Sequence, residues 1–200
     1  FRNQFSGMGI DIALDDRYAD LVQEGFDVAI RFGELEDSQL VARHIGSSAR
    51  VCVASASYLS KNGTPQTPNE LKNHNCITYT HLFSSVWPFR DAKGLVSIKV
   101  AGNFRANSGY AIRDAVMNDV GIALVPALLV KDEIESGTLV SILNDYAPDP
   151  IRITAVYPST RLTPRKVKLF VDFIKDEFVK VPLLHPTKPS RPVPRLRSKP

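Results

Sequence analysis

The stretch that decides the fold is Asn107-Ser-Gly-Tyr-Ala-Ile-Arg-Asp-Ala-Val-Met-Asn-Asp-Val-Gly-Ile-Ala-Leu-Val-Pro126. It predicts a polar cap, one amphipathic helix and a buried strand, because apolar residues first recur at helical spacing and then run continuously up to Pro126. Asn107 or Ser108 is expected to cap the helix by accepting from a backbone N–H two or three residues further on. The other first-turn N–H groups would point outward from the positive end of the helix dipole, where an anion binds. Asn118 and Asp119 tolerate left-handed backbone and are expected to end the helix.

The composition is typical of a soluble globular protein. The chain has 200 residues, of which 44% are apolar and 23% charged, and this length allows one or two domains with a hydrophobic core. No run approaches the roughly 18 apolar residues of a membrane span, and residues 1–5 lack the layout of a signal peptide. The sequence therefore predicts a cytoplasmic protein without membrane contact. Cys52 and Cys76 each lie in an apolar segment, so buried free thiols are expected rather than a disulfide.

The net charge of +4 is carried by the end of the chain. Residues 181–200 contain five basic residues, no acidic residue and six prolines, which leaves 20 basic against 21 acidic residues elsewhere, a net charge of −1. A basic, Pro-rich segment cannot build a core, so residues 181–200 are predicted to be a disordered tail. The tail is either solvated without a partner or makes weak electrostatic contact with nucleic acid.

The rest of the chain alternates strand-like and helix-like segments. Strands are predicted over residues 8–14, 26–32, 40–45, 50–54, 76–79, 95–100, 121–125, 138–143 and 151–156. Helices are predicted over residues 15–24, 58–59, 67–73 and 127–135, and from Thr163, the expected cap, along the apolar stripe Val167, Phe170, Val171, Ile174 and Phe178. Such alternation implies an α/β fold with largely parallel sheets.

The end of the predicted strand 26–32 is a second candidate for ligand binding. Ligands of open α/β sheets bind beyond the carboxyl ends of the strands, and this strand ends in Arg31-Phe32-Gly33. Arg31 can hold a carboxylate with both arms of its guanidinium group. Its alternative role is a structural ion pair with Glu34, Glu36 or Asp37.

Signals of catalysis are sparse. The chain has no Gly-rich phosphate loop, no Gly-x-Ser-x-Gly elbow and no His-Glu-x-x-His motif. His74 and Cys76 stand two apart, which could ligate a metal, but no second pair accompanies them. Ser108 has no identifiable base, which leaves it for helix capping or for hydrogen bonding to a ligand. We therefore expect no catalytic residue, no metal and no cofactor.

Several linked motifs resemble the effector-binding domain of LysR-type transcriptional regulators, in order and in spacing, over residues 8–178. Beyond the stretch 107–126, they are Asp20-Leu-Val-Gln-Glu-Gly-Phe-Asp-Val-Ala-Ile-Arg-Phe-Gly33, Ser38-Gln-Leu-Val-Ala-Arg43, Val53-Ala-Ser-Ala-Ser-Tyr-Leu59, Gly63-Thr-Pro-Gln-Thr-Pro68 with Leu71 and His74-Asn-Cys76, and Gly137-Thr-Leu-Val140.

The resemblance implies two α/β subdomains like those of type 2 periplasmic binding proteins, joined by two crossover strands, with a small molecule in the cleft between them. Subdomain I would comprise residues 1–46 plus 154–180, and subdomain II residues 47–153. The implied effector-binding residues are Arg31, Phe32 and Gly33 on one wall and Ser55, Asn107, Ser108 and Pro126 on the other. In this family, effector binding changes the domain geometry and so the placement of winged helix-turn-helix modules on DNA.

The chain departs from the family pattern at its start. The helix-turn-helix and linker helix, the first strand and most of the first helix of subdomain I have no counterpart here, so we expect an N-terminally truncated fragment that meets DNA only through its parent protein. The absent helix helps to form the family's antiparallel homodimer, which leaves homodimer formation by this chain open. At Asp119 the family commonly has glycine, and aspartate tolerates the left-handed conformation.

The sequence is thus interpreted as the regulatory domain of a LysR-type regulator that senses a small organic anion, because Arg31 and the helix start at Asn107-Ser108 both favour negative charge. A first alternative is a periplasmic-type solute-binding protein of the same fold, which would require a signal sequence. A second is an enzyme on the same scaffold, which would require an acid/base cluster.

Overall fold

The fold is described by a computed structural model for residues 1–17, 20–35, 40–80, 85–159 and 164–180. The predicted tail at 181–200, the cap Thr163 and the candidate ion-pair partners Glu36 and Asp37 lie outside these residues. The strands are β1 Ala29–Phe32, β2 Leu40–Ser48, β3 Arg50–Ser55, β4 Cys76–Tyr79, β5 Val86–Asp91, β6 Gly94–Lys99, β7 Arg105–Ala106, β8 Ile122–Pro126, β9 Leu139–Ile142 and β10 Ile151–Pro158. The helices are α1 Ala56–Asn62, α2 Gly109–Met117, α3 Lys131–Glu135 and α4 Arg165–Val179, with short 3-10 helices at Pro68–Asn73, Ala127–Leu129 and Asn144–Tyr146.

Two main sheets organise the described residues. The smaller sheet has the strand order β1-β10-β2, the larger has the order β7-β4-β8-β3-β9, and β5 and β6 form a separate hairpin. β2 passes almost directly into β3 with only Ala49 between them, so this extended stretch joins the two sheets. The α/β class predicted from the sequence is confirmed.

The prediction of largely parallel sheets was wrong. Only β4 pairs in parallel, with β7 and β8, whereas the other pairings described are antiparallel. The reason is that alternating strands and helices in a sequence do not fix the direction in which a strand enters its sheet. β3 enters the larger sheet directly from β2 and runs opposite to its neighbours β8 and β9. The predicted buried parallel strand at 26–32 is accordingly the antiparallel β1, in which Ala29 lies opposite Val156 of β10.

Residues 8–14 and 15–24 also differ from prediction. Residues 8–14 form no strand, and Ile12 and Leu14 are 70% and 79% exposed. Alternating apolar residues become a strand only where a neighbour supplies hydrogen bonds, and no described strand pairs with these residues. The helix predicted at 15–24 is, in its described part, a single turn closed by Glu24 N–H donating to the Asp20 carbonyl. The Asp20 carboxylate accepts from the backbone of residues 22 and 23, a local bond that competes with a longer helix.

Two predicted helices are shorter or tighter than expected. The segment after Thr67 is a 3-10 helix, with backbone bonds of three-residue spacing from Glu70 N–H to the Thr67 carbonyl and from His74 N–H to the Leu71 carbonyl. The Glu70 side chain accepts from Gln66 N–H and from the Thr67 hydroxyl at its start. The helix predicted at 127–135 is split at Val130, which is fully buried and has a non-helical φ of −126°.

The continuous apolar run in β8 is explained by burial on both faces of the larger sheet. Ile122 and Leu124 pack with Trp87 and Phe89 of the hairpin, whereas Ala123 and Val125 pack under α2. Successive side chains of a strand point to opposite faces, so a strand covered on both sides is apolar throughout. The amphipathic stripe of α4 packs in the same way on the smaller sheet, with Val167 and Val171 buried. No helix among the residues described is long and apolar enough to cross a bilayer.

One side chain ties together the beginnings of the central strands. Asn75 precedes β4, and its Nδ2 donates to the Val120 carbonyl at 2.6 Å and to Asn103 Oδ1 at 2.8 Å. Its Oδ1 accepts from the Asn103 backbone at 2.9 Å, and its own N–H donates to the Tyr58 hydroxyl at 3.0 Å. The segments that lead into β4, β7 and β8 are therefore fixed to each other at one end of the sheet.

Replacing Asn75 by alanine is expected to lower the free energy of unfolding by about 1–3 kcal/mol, because it leaves half-buried backbone groups without partners. Urea denaturation followed by circular dichroism measures the change. Asn73→Ala, an exposed neighbour at the end of the 3-10 helix, is the control and should cost less than about 0.5 kcal/mol. Equal losses in the two variants would contradict the anchoring role of Asn75.

The two cysteines are free and buried, as the sequence predicts. Burial raises the pKa of the Cys76 thiol to about 12 and the pKa of Cys52 well above its ordinary value of 9.0.

Above pH 9 the unfolded chain therefore loses thiol protons that the folded chain keeps. We expect the free energy of unfolding to fall by about 1 kcal/mol per thiol for each pH unit above 9. Urea titrations at pH 8, 9 and 10 test this, and Cys76→Ala should flatten the decline; an unchanged slope would refute the assignment.

Candidate ligand-binding cleft

A cleft of about 1370 Å³ lies between the start of α2 and the smaller sheet. One wall is formed by the carboxyl ends of β4 and β8 and by the first residues of α2, including Tyr79, Asn107, Ser108, Gly109 and Pro126. The opposite wall is formed by β1, by residues 7–17 and by the start of α4. Strand ends from the larger sheet therefore face the smaller sheet across one space.

The start of α2 binds a carboxylate from a distant part of the chain through the backbone amide of Gly109. Ser108 occupies the cap position but its side chain makes no capping hydrogen bond, contrary to the prediction that it or Asn107 caps the helix. The first N–H of the helix has a distant acceptor instead: Gly109 N–H donates to Asp16 Oδ2 at 2.7 Å, across 93 positions of sequence. A carboxylate is thus already bound at the positive end of the helix dipole.

Tyr79 makes the position crowded as well as polar. A Cβ placed on Gly109 would lie 2.6 Å from the Tyr79 hydroxyl oxygen and 3.1 Å from a methyl group of Leu129. Burial, aided by the negative charge of Asp16, raises the pKa of Tyr79 far above its ordinary range, so the phenol stays protonated. The Tyr79 hydroxyl therefore lies close against the start of α2 and leaves no space for an additional methyl group on Gly109.

The opposite wall carries most of the charge. Arg31 and Phe32 of β1 line the cleft, and so do Asp11, Asp15, Asp16, Arg17, Glu24, Asp27 and Lys166. Many of these charges cancel locally, since Arg17 pairs with Asp15 at 2.5 Å and with Glu24 at 2.7 Å, and Lys166 pairs with Asp27 at 2.6 Å. These pairs are exposed and contribute little to stability.

Five of the seven predicted site residues line this cleft together: Arg31, Phe32, Asn107, Ser108 and Pro126. Gly33 does not line it; its N–H donates to the Arg152 carbonyl at 2.9 Å, and its φ of +98° turns the chain away at the end of β1. Ser55 does not line it either. Arg50 of β3 pairs with Pro126, and Ser55 lies five residues further along the same strand, which is about 17 Å from that end of the sheet.

Ser55 has a structural position at the far end of the larger sheet. Its hydroxyl accepts from Tyr58 N–H at the start of α1 and donates to Asp119 Oδ1 at 2.5 Å. The bonds from Ser55 and Ser57 lower the pKa of Asp119. Asp119 is in the left-handed conformation predicted for it, with φ of +61°, and directly follows Asn118, the C-cap of α2. Its side chain therefore connects the end of α2 to the start of α1.

Sequence reasoning missed Tyr79, Gly109 and Asp16. Tyr79 ends the predicted strand 76–79, so the rule that ligands bind at carboxyl ends of strands could have identified it. Gly109 lies inside the stretch 107–126, but the residues around it in sequence do not indicate its close contact with the Tyr79 phenol. Asp16 was assigned to a helix cap, and only the folded chain brings it to α2.

The His74 and Cys76 pair has protein partners instead of a metal arrangement. The Tyr58 hydroxyl and His74 Nδ1 lie 3.3 Å apart, and the Cys76 thiol donates to the Leu71 carbonyl. Over the described ranges, no group of three or more His, Cys, Asp or Glu side chains is arranged to hold a metal ion.

The family model for the LysR substrate binding domain matches residues 1–179. The chain belongs to this family. The match covers nearly every described residue and includes both walls of the cleft.

Relatives and solved structures agree with the family match. The chain is 36% identical over 159 residues to an uncharacterised HTH-type transcriptional regulator of Haemophilus influenzae, covering 79% of this chain and 55% of that protein. It is 33% identical over 179 residues to the HTH-type transcriptional regulator CrgA of Neisseria meningitidis, covering 88% and 60%. The solved CrgA regulatory domain superimposes with a TM-score of 0.73 at 35% identity, covering 81% of this chain and 80% of that one. The chain thus spans a little over half the length of the curated relatives it matches.

These comparisons decide the fold type within the α/β class. The matched structures are regulatory domains of LysR-type regulators, so the family domain has the periplasmic-binding-protein-like fold that the motifs implied. The relatives are named as transcriptional regulators, which favours the regulatory interpretation over a periplasmic solute-binding protein.

Gly109→Ala is expected to lower the free energy of unfolding by about 1–3 kcal/mol, because the new methyl group overlaps the Tyr79 hydroxyl. Without the overlap, alanine would be favourable at this helical position. The Tyr79→Phe background removes the hydroxyl and serves as the control, in which the cost of Gly109→Ala should largely disappear. A double-mutant cycle in urea measures the coupling, and an equal cost in both backgrounds would exclude the contact as its cause.

Proposed function

We propose that this chain is the effector-binding regulatory domain of a LysR-type transcriptional regulator and that its effector is a small organic carboxylate. The observation that carries the proposal is the hydrogen bond from Gly109 N–H to the Asp16 carboxylate, since the helix start already accommodates this group. Arg31 lines the same cleft and supplies a guanidinium group suited to carboxylates. The apolar walls, among them Phe32, Leu128 and Leu129, suit the carbon skeleton of a metabolite.

We further propose how the cleft relates to the rest of the regulator. Subdomain I would comprise residues 1–46 plus 154–180 and subdomain II residues 47–153, so the effector would lie between them. Ligand contacts on both walls would bias the angle between the subdomains, which is the two-state element that an allosteric regulator requires. DNA would be bound by a helix-turn-helix that is not part of this sequence, in a cytoplasmic protein, and any homodimer would transmit the change to both DNA-binding modules.

The domain is proposed to bind its ligand without converting it. The relatives it matches are named as regulators. The polar groups gathered at Gly109 are an amide, a carboxylate and a phenol that stays protonated, which is a hydrogen-bonding arrangement and not a nucleophile with its base.

A thermal-shift screen of aromatic and aliphatic carboxylates tests the proposal. At least one carboxylate should raise the melting temperature of the chain, because a ligand that binds only the folded state stabilises it. Arg31→Ala should weaken binding of that ligand roughly tenfold to hundredfold, the effect of removing a charged hydrogen-bond donor.

Arg152→Ala is the matched control for this screen. Arg152 is an exposed residue of the same sheet and does not line the cleft, so its replacement should leave the ligand response unchanged. Stabilisation by neutral or cationic metabolites alone, or an equal loss in the two arginine variants, would reject the carboxylate assignment.

A further inference from the structure

We infer that Asp16 is an internal competitor for the effector: its side chain occupies the position at the Gly109 amide that the effector carboxylate takes, and binding must displace it. This inference rests on the function proposed above and concerns the regulation of the same cleft.

The contact that carries the inference is between distant parts of the chain. Asp16 lies in the segment before β1, on the wall opposite α2, and its Oδ2 accepts from Gly109 N–H at 2.7 Å. Asp16 is exposed, in a segment without regular secondary structure. A short charge-assisted bond thus joins an irregular segment to a rigid helix start, across the space where a ligand would lie.

The bonds around Asp16 allow its carboxylate to leave the Gly109 amide and return to it. Its neighbours Asp15 and Arg17 hold each other by two hydrogen bonds, to the backbone and to the side chain, and Arg17 is also held by Glu24. The carboxylate of Asp16 is therefore presented by a turn that is braced by bonds between Asp15, Arg17 and Glu24. Breaking the Asp16–Gly109 bond breaks none of these four bonds.

The Gly109 amide already holds one carboxylate oxygen, that of Asp16. The Tyr79 hydroxyl approaches so closely that a Cβ on Gly109 would lie 2.6 Å from it. Two carboxylates at this point would repel each other, because like charges within a few ångströms in a partly buried space are unfavourable. The Asp16 carboxylate and an effector carboxylate therefore exclude one another.

Displacement of the Asp16 carboxylate affects both the affinity for the effector and the relative position of the two cleft walls. If Asp16 occupies the amide most of the time, the apparent affinity of an effector is reduced by the fraction of molecules in which the amide is open. Removing the Asp16 carboxylate removes this reduction. In the intact protein, effector binding breaks a bond between the two walls of the cleft, so ligand binding is coupled to their relative position.

Acetate is a direct probe, because it carries the same functional group as the Asp16 side chain. The experiment follows the Gly109 amide resonance by ¹⁵N–¹H NMR in the full chain during acetate titration, with ionic strength held constant by sodium chloride. Asp16→Ala should shift the Gly109 resonance before any acetate is added and should speed its hydrogen exchange, because the amide loses its acceptor. Acetate should then move the Gly109 resonance at a concentration at least about tenfold lower than in the unmodified chain.

Asp11→Ala is the matched control. Asp11 lines the same cleft and carries the same charge, so Asp11→Ala makes the same change in net charge without removing the Gly109 bond. An equal gain in acetate response for Asp11→Ala and Asp16→Ala would overturn the inference in favour of a general electrostatic effect. A Gly109 resonance that is unchanged by Asp16→Ala, or that does not respond to acetate in that variant, would also overturn it.

Asp16→Asn gives a second measurement in case Asp16→Ala perturbs the segment. The asparagine keeps the size and one acceptor oxygen but loses the charge, so its acetate response should fall between those of the unmodified chain and Asp16→Ala. A response below that of the unmodified chain would contradict competition. A failed metabolite screen would remove the proposed effector class but would leave all of these acetate results unaffected, so the two failures are distinguishable.

Discussion

The larger sheet depends on a close approach of backbone around Asn75. A Cβ on Gly102 would lie 2.1 Å from the Cys76 carbonyl oxygen, and one on Gly121 would lie 2.2 Å from the Asn75 carbonyl oxygen. Backbone cannot move aside as a side chain can, so these two positions accept only glycine. The approach allows Asn75 to bond to the Val120 carbonyl and to Asn103, and its own carbonyl to accept from Ile122 N–H at 2.9 Å. Three strands are thereby aligned at their beginnings.

Because β4, β7 and β8 are aligned at their beginnings, their carboxyl ends also lie together at the opposite end of the larger sheet. β4, β7 and β8 run in parallel from the Asn75 end, so their carboxyl ends at Tyr79, Ala106 and Pro126 come out together. The cleft lies at this second end. β3 runs the opposite way, which is why Arg50 is near Pro126 while Ser55 is at the anchored end with Asp119. One end of the sheet is therefore closed by side-chain bonds to backbone, and the other is left open for a ligand.

The same geometry separates what the sequence could predict from what it could not. α2 and β8 were predictable because helical spacing and a continuous apolar run are local. The strand-end rule pointed to Arg31 and Phe32, and the helix start and the family resemblance pointed to Asn107, Ser108 and Pro126, which line the same cleft. The position of Ser55 at the far end of the larger sheet could not be predicted, because the direction of a strand is known only from its pairing in the sheet. Residues 8–14 have the alternation of a strand but lack a described neighbour to pair with. The Asp16–Gly109 bond spans 93 positions and could not be read from either segment alone.

An internal carboxylate at Gly109 changes where effector affinity must come from. When an effector carboxylate replaces that of Asp16, one charge-assisted hydrogen bond is exchanged for another, so the net gain at the amide is small. The displaced Asp16 is rehydrated, since it already lies at the surface. Affinity must then arise from contacts elsewhere in the cleft, such as those to Arg31, Phe32 and Leu129. The amide position thus selects for a carboxylate, and the rest of the cleft determines which carboxylate binds.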